Sequence, residues 1–173
     1  MRMGLHLDIL LVVLRLTHII AAVVWVGMGI TLFFFVGPAI QKAGPAGMSF
    51  ARALYTQGRF STVIGAAAGL TFLAGLLLYL VGNAMAHFTQ LGNIILGVGA
   101  IFGTLAFLHG AIILSKTTKQ LGAATAALPT DGPPNPDQIA ALRTLSAKAV
   151  SEQKISMTLM LIALVCMATP RYL

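Results

Sequence analysis

The chain has 173 residues, of which 58% are hydrophobic and 9% charged. Soluble domains carry about 25% charged residues, and a fold of this size still exposes roughly a third of its chain surface. A soluble fold could not hide this much apolar area, so the bilayer is the expected solvent, and one domain suffices for the length.

The net charge of +7 comes from basic residues placed between apolar runs. Membrane topology accounts for them, and a nucleic-acid partner is not expected. The single cysteine, Cys166, lies inside an apolar run, which excludes a disulfide framework. The first apolar run is too long for a cleavable signal peptide, and no small-residue cleavage site follows it.

A span needs about 20 apolar residues. The first is expected over residues 16–36, stopping at Gly37-Pro38, after an amphipathic lead-in with His6, Asp8 and Arg15. Residues 46–57 place Met48, Phe50, Leu54 and Tyr55 among polar neighbours, which predicts a short interfacial helix. The second span is expected over 60–81 and the third over 91–114, ending at Ser115-Lys116. A Pro- and Gly-rich loop follows at 129–137, with Asn135 as N-cap and Pro136 at the first helical position of the next helix. Ile139, Leu142, Leu145 and Val150 recur at helical spacing after it, so this helix should run on into the fourth span, 155–169. That span is short, and Lys154 and Arg171 are placed to snorkel to the interfaces.

The fold class is therefore all-α, a four-transmembrane-helix bundle with a cytoplasmic extension of the last helix. Arg2, Arg15 and Arg171 lie on one side, a total of three. Lys42, Arg52, Arg59, Lys116, Lys119, Arg143, Lys148 and Lys154 lie on the other, a total of eight. The more basic side belongs to the cytoplasm, so both termini and the loop 82–90 are expected outside an inner-type, bacterial cytoplasmic membrane.

Gly65 and Gly69 form one G-xxx-G step and Gly99 and Gly103 another. Gly92, Gly99, Gly103, Ala106 and Gly110 share a face of the third helix. Small residues let helices approach closely in lipid. The same groove of glycines could admit a flat ligand such as a porphyrin, and spacing alone does not separate the two uses.

Ionisable groups inside a membrane are costly and point to function. The expected spans hold no Asp or Glu, which counts against a proton-coupled transporter and a carboxylate-lined channel. The histidines are more informative. His18 sits just inside the outer end of the first span and His109 in the inner part of the third. At 1.5 Å per residue the two differ in depth by roughly 15–18 Å, too far to share one iron. His18 could pair with His87 of the outer loop, and His109 with Met160, which falls at a similar depth. Heme iron accepts both His/His and His/Met ligation. Each histidine equally suits a plainer role, bonding a carbonyl of a neighbouring helix or interfacial water. Arg15 and Arg59 at the membrane edges are snorkelling anchors or partners for heme propionates. Met157, Met160 and Met167 share a stripe near Cys166, and such soft ligands suit Cu(I) as well as flexible core packing. Trp25 lies mid-span and reads as core, or as a ring stacked on a cofactor. No nucleophile–base set, phosphate loop or zinc pattern is present.

The stretch from Leu16 through Thr17, His18, Ile19, Ile20, Ala21, Ala22, Val23, Val24, Trp25, Val26 and Gly27, with Pro38 beyond, resembles the first span of copper-resistance-D-like membrane proteins and a related uncharacterised integral membrane family. It is more distantly similar to the bacterial four-helix protoporphyrinogen oxidases, which share a His followed seven residues later by Trp, as His18 and Trp25 are. Arg59-Phe60 through Thr71, Gly75 and Leu78, and His109-Gly110, follow the same pattern. The resemblance implies a four-helix bundle with heme b or copper, and it associates His18 with heme. The oxidases carry their Pro earlier than Pro38, and no catalytic residue is transferred. Three functions are thus expected in turn. The first is a b-type heme protein in electron transfer, linked to quinone or to other membrane subunits. The second is a copper-handling protein using His18, Met157, Met160 and Cys166. The third is a cofactor-free structural or assembly subunit. A homo-oligomer is compatible with each.

Overall fold

The structure, a computed structural model, describes residues 2–56, 59–81, 90–129 and 132–173. Each apolar run becomes one long helix, because in hydrocarbon a segment has to satisfy its own backbone N–H and C=O groups. Helix α1 comprises Arg2–Thr31, a π-helical turn at Leu32–Val36, and Gly37–Lys42. It does not stop at Gly37-Pro38 as the sequence suggests. Pro38 lacks an N–H, and its ring crowds the carbonyl four residues back. The ladder widens just before it, with the Gly37 N–H donating to the Leu32 carbonyl, and the helix continues. Gly44, at φ +56°, then closes the end in the left-handed region that glycine adopts without a Cβ penalty.

Helix α2 is Pro45–Thr56, the short helix expected before the second span, and α3 is Phe60–Val81. Helix α4 comprises Leu91–Leu108, a π-helical turn at His109–Leu114, and Ser115–Ala126, so it extends well past the expected end at 114. Helix α5, Pro136–Ala168, is 33 residues long and runs unbroken from the polar extension into the last span. Its start is the expected one: Asn135 Oδ1 accepts from the Gln138 N–H at 2.8 Å, and Gln138 Oε1 accepts from the Asn135 N–H at 3.1 Å. This reciprocal box satisfies two otherwise orphaned donors. A 3₁₀ turn at Pro170–Tyr172 follows. Four of these helices are long and apolar enough to cross a membrane.

The bundle is built as two antiparallel hairpins. α1 packs along α3, and α4 along α5, while the hairpins touch each other more lightly, α3 on α4 and α1 on α5. Glycines set the close approach inside the second hairpin. A Cβ added at Gly99 would lie 3.0 Å from both Cys166 Cβ and Met167 Cγ, and one at Gly92 would lie 2.5 Å from the Pro170 carbonyl oxygen. The face of Gly92, Gly99 and Gly103 is thus occupied by α5 and its C-terminal turn. Gly65 and Gly69 have no neighbour within 4 Å of an added Cβ.

The core lies where the hairpins meet, toward the basic end. Ala106, Met157 and Met160 are buried, with Trp25, Val26, Ile30, Phe33 and Leu159 packed around them. Phe72 of α3 stacks on Phe107 of α4, with centroids 4.5 Å apart and rings 4° from parallel. The outside is apolar: Val23, Leu80, Ile101 and Val165, one on each long helix, leave at least 60% of their surface open. The total accessible surface is 11069 Å², against about 8,100 Å² for a compact soluble monomer of this mass. That excess of exposed, largely apolar surface is what an integral membrane protein presents to lipid.

Candidate functional site

His18 lies on the face of α1 that meets α3. Its Nδ1 is 2.8 Å from the Thr71 carbonyl oxygen. A carbonyl only accepts, so Nδ1 carries the proton and donates it. In the neutral ring Nε2 then holds the free lone pair. The close approach depends on Gly75: a Cβ there would lie 2.7 Å from His18 Cε1 and 2.8 Å from Nδ1. The Thr71 hydroxyl is itself satisfied within α3, donating to the Ala67 carbonyl at 2.7 Å. The imidazole is half-buried and fixed by a backbone acceptor, which is how metal-binding histidines are oriented through the nitrogen they do not use for the metal. Thr17, Ile20, Ala21, Ala67 and Leu70 line an open apolar groove of about 550 Å³ between α1 and α3, whose lining does not include the His18 ring.

His109 belongs to the other hairpin. It opens the π-helical turn of α4, and its Nδ1 is 2.8 Å from Ser156 Oγ on α5. A hydroxyl donates or accepts, so this contact leaves the tautomer open. The shared register of the helices separates the two histidines. Gly29 of α1 faces Met157 and Met160, and Ser156, beside Met157, is level with His109. His18 is eleven residues from Gly29, so the rings lie roughly 16–20 Å apart along the bundle. The depth difference read from the sequence is preserved.

The remaining candidates are dispersed. His87 lies outside the described residues. Met160 is buried with its Sδ-methyl toward Gly29: Met160 Cε would be 3.4 Å and Met157 Cε 3.8 Å from a Cβ there. Cys166 and Met167 instead face Gly99. The copper candidates His18, Met157, Met160 and Cys166 therefore meet three different glycines, Gly75, Gly29 and Gly99. Among the described residues no three His, Cys, Asp or Glu side chains gather as metal ligands. Arg15 and Arg59 are both exposed. Arg15 is one turn before His18, whereas Arg59 lies twelve residues before Thr71, about 18 Å away along α3. Trp25 is part of the core, packed against the Ala106, Met157 and Met160 cluster.

Sequence reasoning missed one group. Glu152 falls three residues before the expected start of the fourth span, yet it is 7% exposed. Its Oε1 is 3.8 Å from Lys148 Nζ, and its Oε2 is buried without a hydrogen-bond partner. The chain thus carries a buried carboxylate next to its apolar section, which the reading of spans without Asp or Glu did not anticipate. The unbroken α5 was legible, but which of its faces α4 would cover was not. Farther along α4, Tyr55 of α2 packs at Gly122, and burial pushes its hydroxyl up from the ordinary 10.0.

Compared with known proteins, the chain matches no family model, no curated protein and no solved structure.

Proposed function

We propose that this integral membrane protein binds a b-type heme through His18 and takes part in electron transfer, with a quinone or a neighbouring respiratory subunit as its partner. The observation that carries this is the 2.8 Å contact between His18 Nδ1 and the Thr71 carbonyl, which in a neutral ring puts the proton on Nδ1 and leaves the Nε2 lone pair free. The groove between α1 and α3 that starts at the neighbouring Thr17 is lined by apolar side chains, and its volume of about 550 Å³ lies within the range of cofactor sites; the His18 ring would have to turn from Gly75 to face it. Arg15, exposed one turn away, is the better placed of the two arginines for a propionate. His87 is the sequence candidate for a second ligand. The spacing of His18 and Trp25 that resembles the four-helix protoporphyrinogen oxidases supports the same assignment. A bound heme would supply one-electron chemistry, with a potential set by its axial ligands and the low dielectric around it.

The excess of Lys and Arg at one end supports a topology with that end in the cytoplasm of a bacterial cell and both termini outside. A C-terminal alkaline phosphatase fusion is then active, and an inactive fusion reverses the orientation.

The test of heme binding is the visible spectrum of the purified full chain, oxidised and then dithionite-reduced. A Soret band with resolved α and β bands on reduction is expected, and His18→Ala should lose most of the heme per protein. A colourless protein with no extractable heme ends this assignment and leaves copper handling or a structural role. A coloured protein whose heme content is unchanged in His18→Ala removes His18 as the ligand.

A further inference from the structure

The seam between α4 and α5 holds a second set of polar groups that the heme proposal does not use. Lys148, Glu152 and Ser156 follow one another at four-residue intervals, so they lie on one face of α5. Lys148 is at the exposed end, with 58% of its side chain open, while the Glu152 side chain is 9% exposed. Ser156 is 4% exposed and meets His109 Nδ1 at 2.8 Å. The row therefore runs from water at the basic end to an imidazole inside the third apolar helix. Two further observations mark it as more than packing. Glu152 Oε2 is buried with no hydrogen-bond partner, a costly state for a carboxylate oxygen that nothing completes. And His109 opens a π-helical turn with no proline behind it to account for the distortion, a feature found frequently at functional sites.

We infer that Glu152, Ser156 and His109 form a proton relay that connects the basic end of the bundle to His109. Each part has the chemistry for its step. A carboxyl group exchanges protons with water at the Lys148 end. The Ser156 hydroxyl accepts a proton on Oγ while giving its own to His109 Nδ1, so it passes one proton on and ends as it began. The reverse transfer runs over the same atoms. Glu152 and Ser156 are one turn apart, about 6 Å along the axis, and the relay requires a water or a turned Glu152 side chain to bridge that distance. The other charged groups on this stretch are Lys154 on α5 and Lys116 and Lys119 on α4, all three exposed. Of the segments packed nearest, His109–Leu114 brings no ionisable group besides His109, Leu32–Val36 and the part of α1 around Gly29 bring no charge, and Ser115–Ala126 brings the two lysines just named. His18 lies in the other hairpin, so the relay stands or falls apart from the heme proposal.

The experiment is nitrogen-15 NMR of histidine-labelled full-length protein in lipid nanodiscs, with the His109 signal assigned by its loss in His109→Gln. The quantity read is the rate at which the His109 ring N–H exchanges with water at a fixed pH. Glu152→Gln keeps the shape and hydrogen-bonding capacity of the side chain but removes its exchangeable acid. It should slow exchange at His109 at least tenfold, with the His18 signal unchanged. Glu152→Asp should restore most of the rate, and Ser156→Ala should slow it as Glu152→Gln does. A rate in Glu152→Gln within twofold of wild type overturns the relay. Equal slowing in Glu152→Gln and Glu152→Asp also overturns it, because shape rather than proton transfer would then be the cause.

Discussion

His18 and Gly75 depend on each other. The ring reaches the Thr71 carbonyl because no Cβ stands at position 75. Gly75→Ala should therefore push the imidazole away, with an overpacking cost of about 1–3 kcal/mol and a matching loss of heme. Gly65→Ala is the control, because nothing lies within 4 Å of the new methyl. In a helix interior that change is neutral or stabilising by up to about 1 kcal/mol. Thermal unfolding in detergent separates the two, and equal melting temperatures would mean that the ring is not held by the glycine. The same scale shows why the histidines were easy to find and their roles were not. A His in an apolar run stands out at once, whereas Thr71 and Ser156 are ordinary small polar residues until the fold brings them to within 2.8 Å of a ring.

At the scale of elements, the four long helices were legible from their apolar runs, and so was the start of α5, because Asn135, Pro136 and Gln138 carry their capping chemistry locally. The ends were less legible. Helix α1 passes Pro38 by widening its ladder, and α4 passes Ser115 through a π-helical turn. These are backbone adjustments held by packing along the hairpins, with no residue type of their own. Helix α2 offers a test of its docking. Tyr55 titrates above its unfolded value of 10.0 because its hydroxyl is desolvated. The folded state then holds its proton more tightly, so this contribution is complete below pH 10 and is lost as pH rises through the folded value. Tyr55→Phe should lose less stability than wild type between pH 9 and pH 11, measured as the difference in melting temperature. An identical alkaline loss in both proteins would place the Tyr55 hydroxyl in water.

At the scale of the molecule, two well-packed hairpins meet along a lighter interface, pinned by the Phe72–Phe107 stack and by Met157 and Met160 against Gly29. An aromatic pair contributes about 0.5–1.5 kcal/mol beyond the area it buries. A double-mutant cycle of Phe72→Ala and Phe107→Ala should return a coupling energy of that size in mixed-micelle unfolding. Additive single effects would remove the stack as a link between hairpins. The division also bears on the two proposals: His18 belongs to one hairpin and the Glu152–Ser156–His109 row to the other, so the proposed heme binding and the proposed proton exchange at His109 should respond to separate sets of substitutions.

The sequence by itself determined the solvent, the number of crossings and the helical class, because the free energy of placing an apolar run in lipid depends on its length and composition and hardly on its neighbours. It also determined that His18 and His109 lie at different depths, since the rise per residue is constant. Only the tertiary structure decided which nitrogen of His18 is committed, that the third-helix glycines are filled by α5, and that Glu152 is buried. Each depends on which helix faces which, at what rotation, and apolar runs of similar hydrophobicity on all sides leave that choice to the packing of small residues against particular side chains.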